Sequence, residues 1–253
     1  ALYIKTCIES VLNQDYENIE HIIIDGNSSD STMDIIKSYG AKVSYSKSSN
    51  DKNMYAAINT GLSIASGDII ACLNSDDYYY NSNIISLAVK HINKGNKAIY
   101  GNIIKYYQIT NTFRYVKLYQ IDYTSLLMSR HSTFLPQPTL FMIKDLYKKY
   151  NNFQDNYYFS SDYDFILKVL KDNKIKHIDS FFTVFRQHGD SITSNLRNSM
   201  LSETSKILRD NNYQSYSIYS KILCYLKGWL YYKYINIPQN LVKNSSKRSD
   251  QLI

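Results

Sequence analysis

The chain has 253 residues, of which 44% are hydrophobic and 20% charged. That is enough apolar material for one domain with a sizeable core and a tail, and it excludes a chain disordered throughout. Lys and Arg outnumber Asp and Glu by 29 to 22, a net charge of +7, which favours anionic partners (nucleotides, nucleic acid or an anionic membrane face) without choosing among them. Cys7, Cys72 and Cys224 lie far apart among apolar residues, with no CxxC or Cys/His spacing. They read as buried small hydrophobes in a reducing compartment, which places the protein in the cytoplasm.

Ile4, Cys7, Ile8, Val11 and Leu12 recur at helical spacing, so residues 2–13 are predicted to form an amphipathic helix. An α/β domain normally opens with a strand, and that strand is expected upstream of Ala1. Ile19–Ile24 is an apolar strand ending in Asp25-Gly26-Asn27-Ser28-Ser29-Asp30. Ser31 with Asp34 three residues on resembles a capping box for the helix that follows. Val43–Tyr45 is a short strand. Met54, Ala57, Ile58, Gly61, Leu62 and Ala65 mark the next helix face, stopped by Gly67. Ile69–Leu73 is an unbroken apolar run, hence a buried strand, and it ends abruptly in Asn74-Ser75-Asp76-Asp77.

Ligands of open α/β sheets sit beyond the carboxyl ends of the strands. Two adjacent carboxylates there repel each other, and Mg²⁺ or Mn²⁺ relieves the repulsion while holding a phosphate. A purely structural role, capping the helix that starts near Ser82, stands beside that reading.

A helix marked by Ile84, Ile85, Ala88, Val89 and Ile92 follows, and a strand is predicted over 98–107. The first hundred residues thus alternate helix and strand with short connections, which predicts a mostly parallel central sheet flanked by helices. Neither GxGxxG nor GxxxxGK[ST] occurs, so any phosphate site must use carboxylates and metal. Leu135-Pro136-Gln137-Pro138 is a rigid break before a strand over Thr139–Ile143. Ser160-Ser161-Asp162-Tyr163-Asp164 opens a helix, and Ile175–Phe185 is a strand or hairpin leading to Arg186-Gln187-His188. From about Leu196 the chain is helical. The stretch Ser217–Ile235, rich in Tyr and Leu with Trp229, is interrupted by Lys221, Lys227, Gly228 and Lys233. It is too broken to span a bilayer but suits an interfacial helix.

The order of these motifs is informative. Ser10-Val11-Leu12-Asn13-Gln14, Ile23-Ile24-Asp25-Gly26-Asn27-Ser28-Ser29-Asp30, Asp51-Lys52-Asn53-Met54-Tyr55, Ala65-Ser66-Gly67-Asp68 and Asn74-Ser75-Asp76-Asp77 follow one another. Together with Ser161-Asp162-Tyr163-Asp164-Phe165 and Phe185-Arg186-Gln187-His188 they resemble the inverting family-two glycosyltransferases of GT-A fold. The resemblance covers roughly residues 1–195, leaving 196–253 as a C-terminal helical extension. It implies that Asp25 pairs with the uracil edge of a UDP-sugar and that Asp51 and Lys52 contact the nucleotide or donor sugar. It places Asp76 near the ribose, makes Asp77 the ligand of a divalent cation (Mn²⁺ or Mg²⁺), sets His188 near the diphosphate and metal, and makes Asp162 the catalytic base, with Asp164 the next candidate. Each of these residues also has a plainer reading as a turn, a cap or a surface pair. Asn74 stands where many members have Asp, Asn53 where Gly is usual, and Ser161 where a Glu commonly precedes the base, which leaves donor choice open.

The expected activity is metal-dependent transfer from a nucleotide-sugar donor to a saccharide or lipid-linked acceptor in surface-polysaccharide synthesis, with peripheral contact at the inner membrane face and no nucleic acid. One base opposite the leaving group implies a single displacement, hence inversion. A sugar-nucleotide pyrophosphorylase and a basic scaffold with decayed acidic motifs are the competing readings.

Overall fold

The computed structural model describes residues 1–129, 135–189, 197–211 and 213. Helix α1 (Ile4–Leu12) buries Ile4, Cys7, Ile8 and Val11, the stripe its spacing predicts. Strand β1 (Ile22–Asp25), helix α2 (Thr32–Ser38) and strand β2 (Tyr45–Ser48) follow, with β1 and β2 paired in parallel. The side chain of Ser31 does not cap α2. Asp30 does that work, its Oδ1 accepting from the Thr32 N–H at 3.0 Å. Next come α3 (Met54–Ile64), β3 (Ile69–Ala71), the two-residue β4 (Tyr78–Tyr79), α4 (Ile84–Ile92) and the long β5 (Ala98–Tyr107). The second half adds β6 (Thr112–Val116), α5 (Tyr123–Ser129), β7 (Leu140–Ile143), α6 (Lys144–Lys149), α7 (Ser161–Asp172), β8 (Lys176–Gln187) and α8 (Arg197–Asp210).

The main sheet has six strands in the order β3-β7-β5-β8-β4, with β6 also on β5. It is mixed rather than mostly parallel. β5 runs parallel to β8 but antiparallel to β6 and β7, and the pairs β3–β7 and β4–β8 are antiparallel too. The reason is local. Residues 108–111 fold β6 straight back on β5 as a hairpin, with Asn111 at φ +49. Apolar patterning reports which strands are buried, not which way they run. At the centre, Phe182 of β8 lies against Gly101 of β5 so closely that a Cβ there would stand 2.2 Å from the ring. Only glycine admits that approach, and the register shifts beside it at Gly101/Asn102.

The β1–β2 pair forms a separate sheet. Among the described residues, β1 and β3 each have one edge without a strand partner. Ile8, Ile22, Ile24, Leu62, Ile70 and Val89 are among the residues that line a cavity of about 1370 Å³. Helix α8 is part of the core, with Thr204, Ile207 and Leu208 buried. The Ser217–Ile235 stretch lies outside the described residues. Among those described, no helix is long and apolar enough to cross a membrane.

Candidate active site

The cavity collects Gly26, Asp51, Asp76, Asp162 and His188 along one lining, residues drawn from five separate stretches of sequence. The acidic turn after β3 faces it with Asp76, whose Oδ2 lies 3.2 Å from His188 Nε2. Arg186, at the end of β8, locks this turn from behind. Its Nε donates to the Asp76 carbonyl oxygen at 3.1 Å and its N–H to Asp77 Oδ1 at 3.1 Å. The guanidinium is enclosed by the rings of Tyr3 (4.6 Å), Tyr78 (5.6 Å) and Tyr106 (5.7 Å), a setting that favours a fixed cation. Tyr3 also packs on His188, with ring centroids 4.7 Å apart.

Asp77, expected at the cation, lies beneath this surface. It is fully buried, its Oδ2 accepts from Asn74 Nδ2 at 3.2 Å, and it does not line the cavity. Burial first, and Asp76 second, push its carboxyl well above the usual carboxylate range, against the pull of Arg186 and Asn74. The cavity-facing carboxylate of the turn is therefore that of Asp76.

Asp76 and His188 offer an oxygen and a nitrogen, donors that Mg²⁺ and Mn²⁺ accept. Among the described residues no group of three or more His, Cys, Asp or Glu could hold a metal ion. The donor set therefore fits a cation shared with phosphate oxygens and water, the usual arrangement for these ions at phosphate sites, and not a closed protein cage.

From α7, Asp162 joins the same lining. Its Oδ1 accepts from the Tyr55 hydroxyl at 2.9 Å and from the Tyr163 N–H at 2.9 Å. Burial raises its carboxyl above the ordinary value, and the Tyr55 hydrogen bond opposes that rise. Asp162 takes one first-turn amide of α7 but is not its N-cap, a position held by Ser160. Glu203 of α8 serves the loop entering α7, accepting from the N–H groups of Tyr158, Phe159 and Ser160 at 2.8, 2.9 and 3.1 Å. The neighbouring Asp164 is buried and paired to Lys168 Nζ at 2.6 Å, and it does not line the cavity.

Asp25 ends β1 as the anchor of its turn. It accepts from the Ser28 N–H (3.0 Å), the Ser28 hydroxyl (2.5 Å) and the Ser48 hydroxyl (2.6 Å). Partial burial works to raise its carboxyl, but these bonds outweigh it and the net shift is downward. Three donors on about four lone-pair sites leave room for one more. Asp51 accepts from the Ser49 hydroxyl at 2.7 Å, whereas Lys52 stands outside the cavity lining in an exposed pair with Asp155 at 4.0 Å. Asn53 caps α3 through Oδ1 to the Ala56 N–H.

Sequence reasoning missed Tyr55 and Glu203. Each acts across a separation in sequence of 107 or more than 40 residues, and neither carries a local signal.

The family model for glycosyl transferase family 2 matches residues 1–190, and the chain belongs to that family. It is 30% identical over 212 residues to an uncharacterized glycosyltransferase, RT0329, of Rickettsia typhi, covering 80% of this chain and 65% of that protein. The chain thus spans just under two thirds of that relative. It is 31% identical over 200 residues to the UDP-Glc:alpha-D-GlcNAc-diphosphoundecaprenol beta-1,3-glucosyltransferase WfgD of Escherichia coli, covering 76% of this chain and 75% of WfgD. Among solved structures it resembles residues 1–349 of S. aureus TarS in complex with UDP-GlcNAc, with a TM-score of 0.63 at 16% identity. That match covers 82% of this chain and 62% of that one. The likeness establishes the GT-A fold. Family membership sets the pyrophosphorylase reading aside.

Proposed function

We propose that this chain transfers a sugar from a UDP-sugar to a hydroxyl of a saccharide or lipid-linked acceptor, with inversion, in surface-polysaccharide synthesis. One observation carries the reading. A cavity-lining carboxylate with a raised proton affinity, Asp162, shares a single cleft with the Asp76–His188 pair, whose turn Arg186 holds from behind. A base and a site for neutralising the leaving group in one cleft are the two devices that glycosyl transfer needs.

Asp162 takes the proton from the acceptor hydroxyl as the oxygen attacks the anomeric carbon. Asp76 and His188 would hold a divalent cation, which when bound would offset charge on the departing diphosphate. Asp77 braces the turn from below, and Arg186 keeps it closed. Asp51 lies on the lining at the nucleotide end, and Asp25, just off the lining beside Gly26, has one lone pair left for the uracil N–H. Support for UDP comes from the UDP-Glc named for WfgD and the UDP-GlcNAc bound in the TarS complex, and support for a lipid-linked acceptor from the name of WfgD. A net charge of +7 suits work at the anionic inner face of the membrane.

Calorimetry of UDP with and without Mn²⁺ tests the cluster. The parent protein should bind UDP at least about tenfold more tightly with Mn²⁺, and Asp76→Ala should remove that increment. Equal binding by the parent under both conditions would sink the cation role.

A further inference from the structure

Asp162 is fixed by contacts from outside its own helix. Tyr55 reaches it from the first turn of α3 and is almost fully buried, packed on the ring of Phe153 with centroids 5.6 Å apart. The position of α3 is tied to the loop leading into α7. Asn53 Nδ2 donates to the Asp155 carbonyl oxygen at 2.9 Å, Asn59 Nδ2 to the Phe153 carbonyl oxygen at 2.7 Å, and the Phe153 N–H to Asn59 Oδ1 at 3.1 Å. Glu203 fixes the following three amides of the same loop. Both partners of the Tyr55–Asp162 hydrogen bond are therefore held before any substrate arrives.

We propose that Tyr55 is a positioning residue for the base: its hydroxyl occupies Asp162 Oδ1, presents Oδ2 to the acceptor, and sets the pH range over which Asp162 can accept a proton. This rests on the reading of Asp162 as the base. With Oδ1 taking the Tyr55 hydroxyl and the Tyr163 N–H, Oδ2 receives no hydrogen bond among the described residues. Tyr55 itself stays a donor, because burial and the neighbouring Asp162 push its phenol well above its ordinary value. Among the described residues, Glu203 on α8 also acts on Tyr55 through space, and the carboxylate nearest in sequence, Asp164 on α7, is paired to Lys168.

A hydrogen bond to the charged form of a carboxyl favours that form. Removing it raises the proton affinity, so the acid limb of the rate profile must move to higher pH. The experiment uses the full chain carrying Tyr55→Phe, with kcat measured against pH by UDP release and donor affinity measured by calorimetry. The acid limb should rise by about one pH unit, a tenfold change in proton affinity, while donor affinity stays within about twofold of the parent. Placing 3-fluorotyrosine at position 55 keeps the ring and strengthens the donor, so the limb should move the other way. Asp162→Asn serves as the reference. If that variant transfers sugar normally, the base reading itself fails. If it is inactive while both changes at position 55 leave the limb unmoved, the base reading stands and the role of Tyr55 is overturned.

Discussion

Asp25 sits at the tip of a two-stranded sheet and accepts three hydrogen bonds, whereas Asp162 stands in the packed half of the domain and accepts one hydroxyl and one amide. The shifts run in opposite directions, down for Asp25 and up for Asp162. The strands that carry the two regions also differ: Ile22, Ile23 and Ile24 of β1 are half-buried, while β5 is buried from Ala98 to Ile104. On the proposed reading this is a division of labour: a carboxylate saturated with hydrogen bonds and held in its charged form suits recognition of a nucleotide, and one with fewer hydrogen bonds and a raised proton affinity suits proton transfer.

The largest stability effect should come from the rigid half. Gly101→Ala drives a methyl group into the Phe182 ring and should cost up to about 3 kcal/mol in denaturant unfolding. A loss under 0.5 kcal/mol would mean that the centre of the sheet yields as easily as its edge.

Asp25→Asn should cost less, about 1 to 2 kcal/mol at neutral pH, because an amide nitrogen cannot accept from the serine hydroxyls. The folded pKa of Asp25 lies below its ordinary 3.8, so its contribution is present above that value and lost as pH falls through the folded pKa. The gap between variant and parent should therefore close in acid. A gap that stays constant below pH 3 would remove the ionised form of Asp25 from the account.

Lys52→Ala should change stability by under about 0.5 kcal/mol, since its ion pair with Asp155 is exposed and 4.0 Å long. A tenfold loss of UDP affinity in the same variant would show that the loop carrying it closes on the nucleotide.

Much of this division was legible in the sequence. The strand over 98–107 coincides with β5, and the buried stripes of α1 and α4 follow the 3.6-residue period, whereas α3 buries Tyr55 and Leu62 and leaves Met54 of its predicted face exposed. The motifs containing Asp25, Asp51, Asp76, Asp162 and His188 mark the ends of strands and the starts of helices, and ordered motifs survive in a linear reading. What was lost depends on third-dimension partners. Nothing in Asn74-Ser75-Asp76-Asp77 says which carboxylate faces the cleft, because that is settled by the N–H of Arg186, more than a hundred residues away. Strand direction was lost for a similar reason, as burial patterning is blind to it. The capping of the loop before α7 by Glu203 could not be seen at all, since a capping carboxylate is usually sought within three residues of the helix start.

Asp162→Asn is the most direct test of the central claim that this carboxylate is retained for proton transfer and not for stability. A carboxyl whose folded pKa is raised contributes stability below its unfolded value, and loses that contribution as pH rises through the folded pKa. At neutral pH its charge is a cost, and an amide of the same size still accepts from Tyr55. On one preparation, transfer measured by UDP release should fall about 10²- to 10⁴-fold, with donor affinity within a few-fold and a melting temperature equal to or above that of the parent. Near-normal transfer, or lost transfer accompanied by a clearly lower melting temperature, would contradict it.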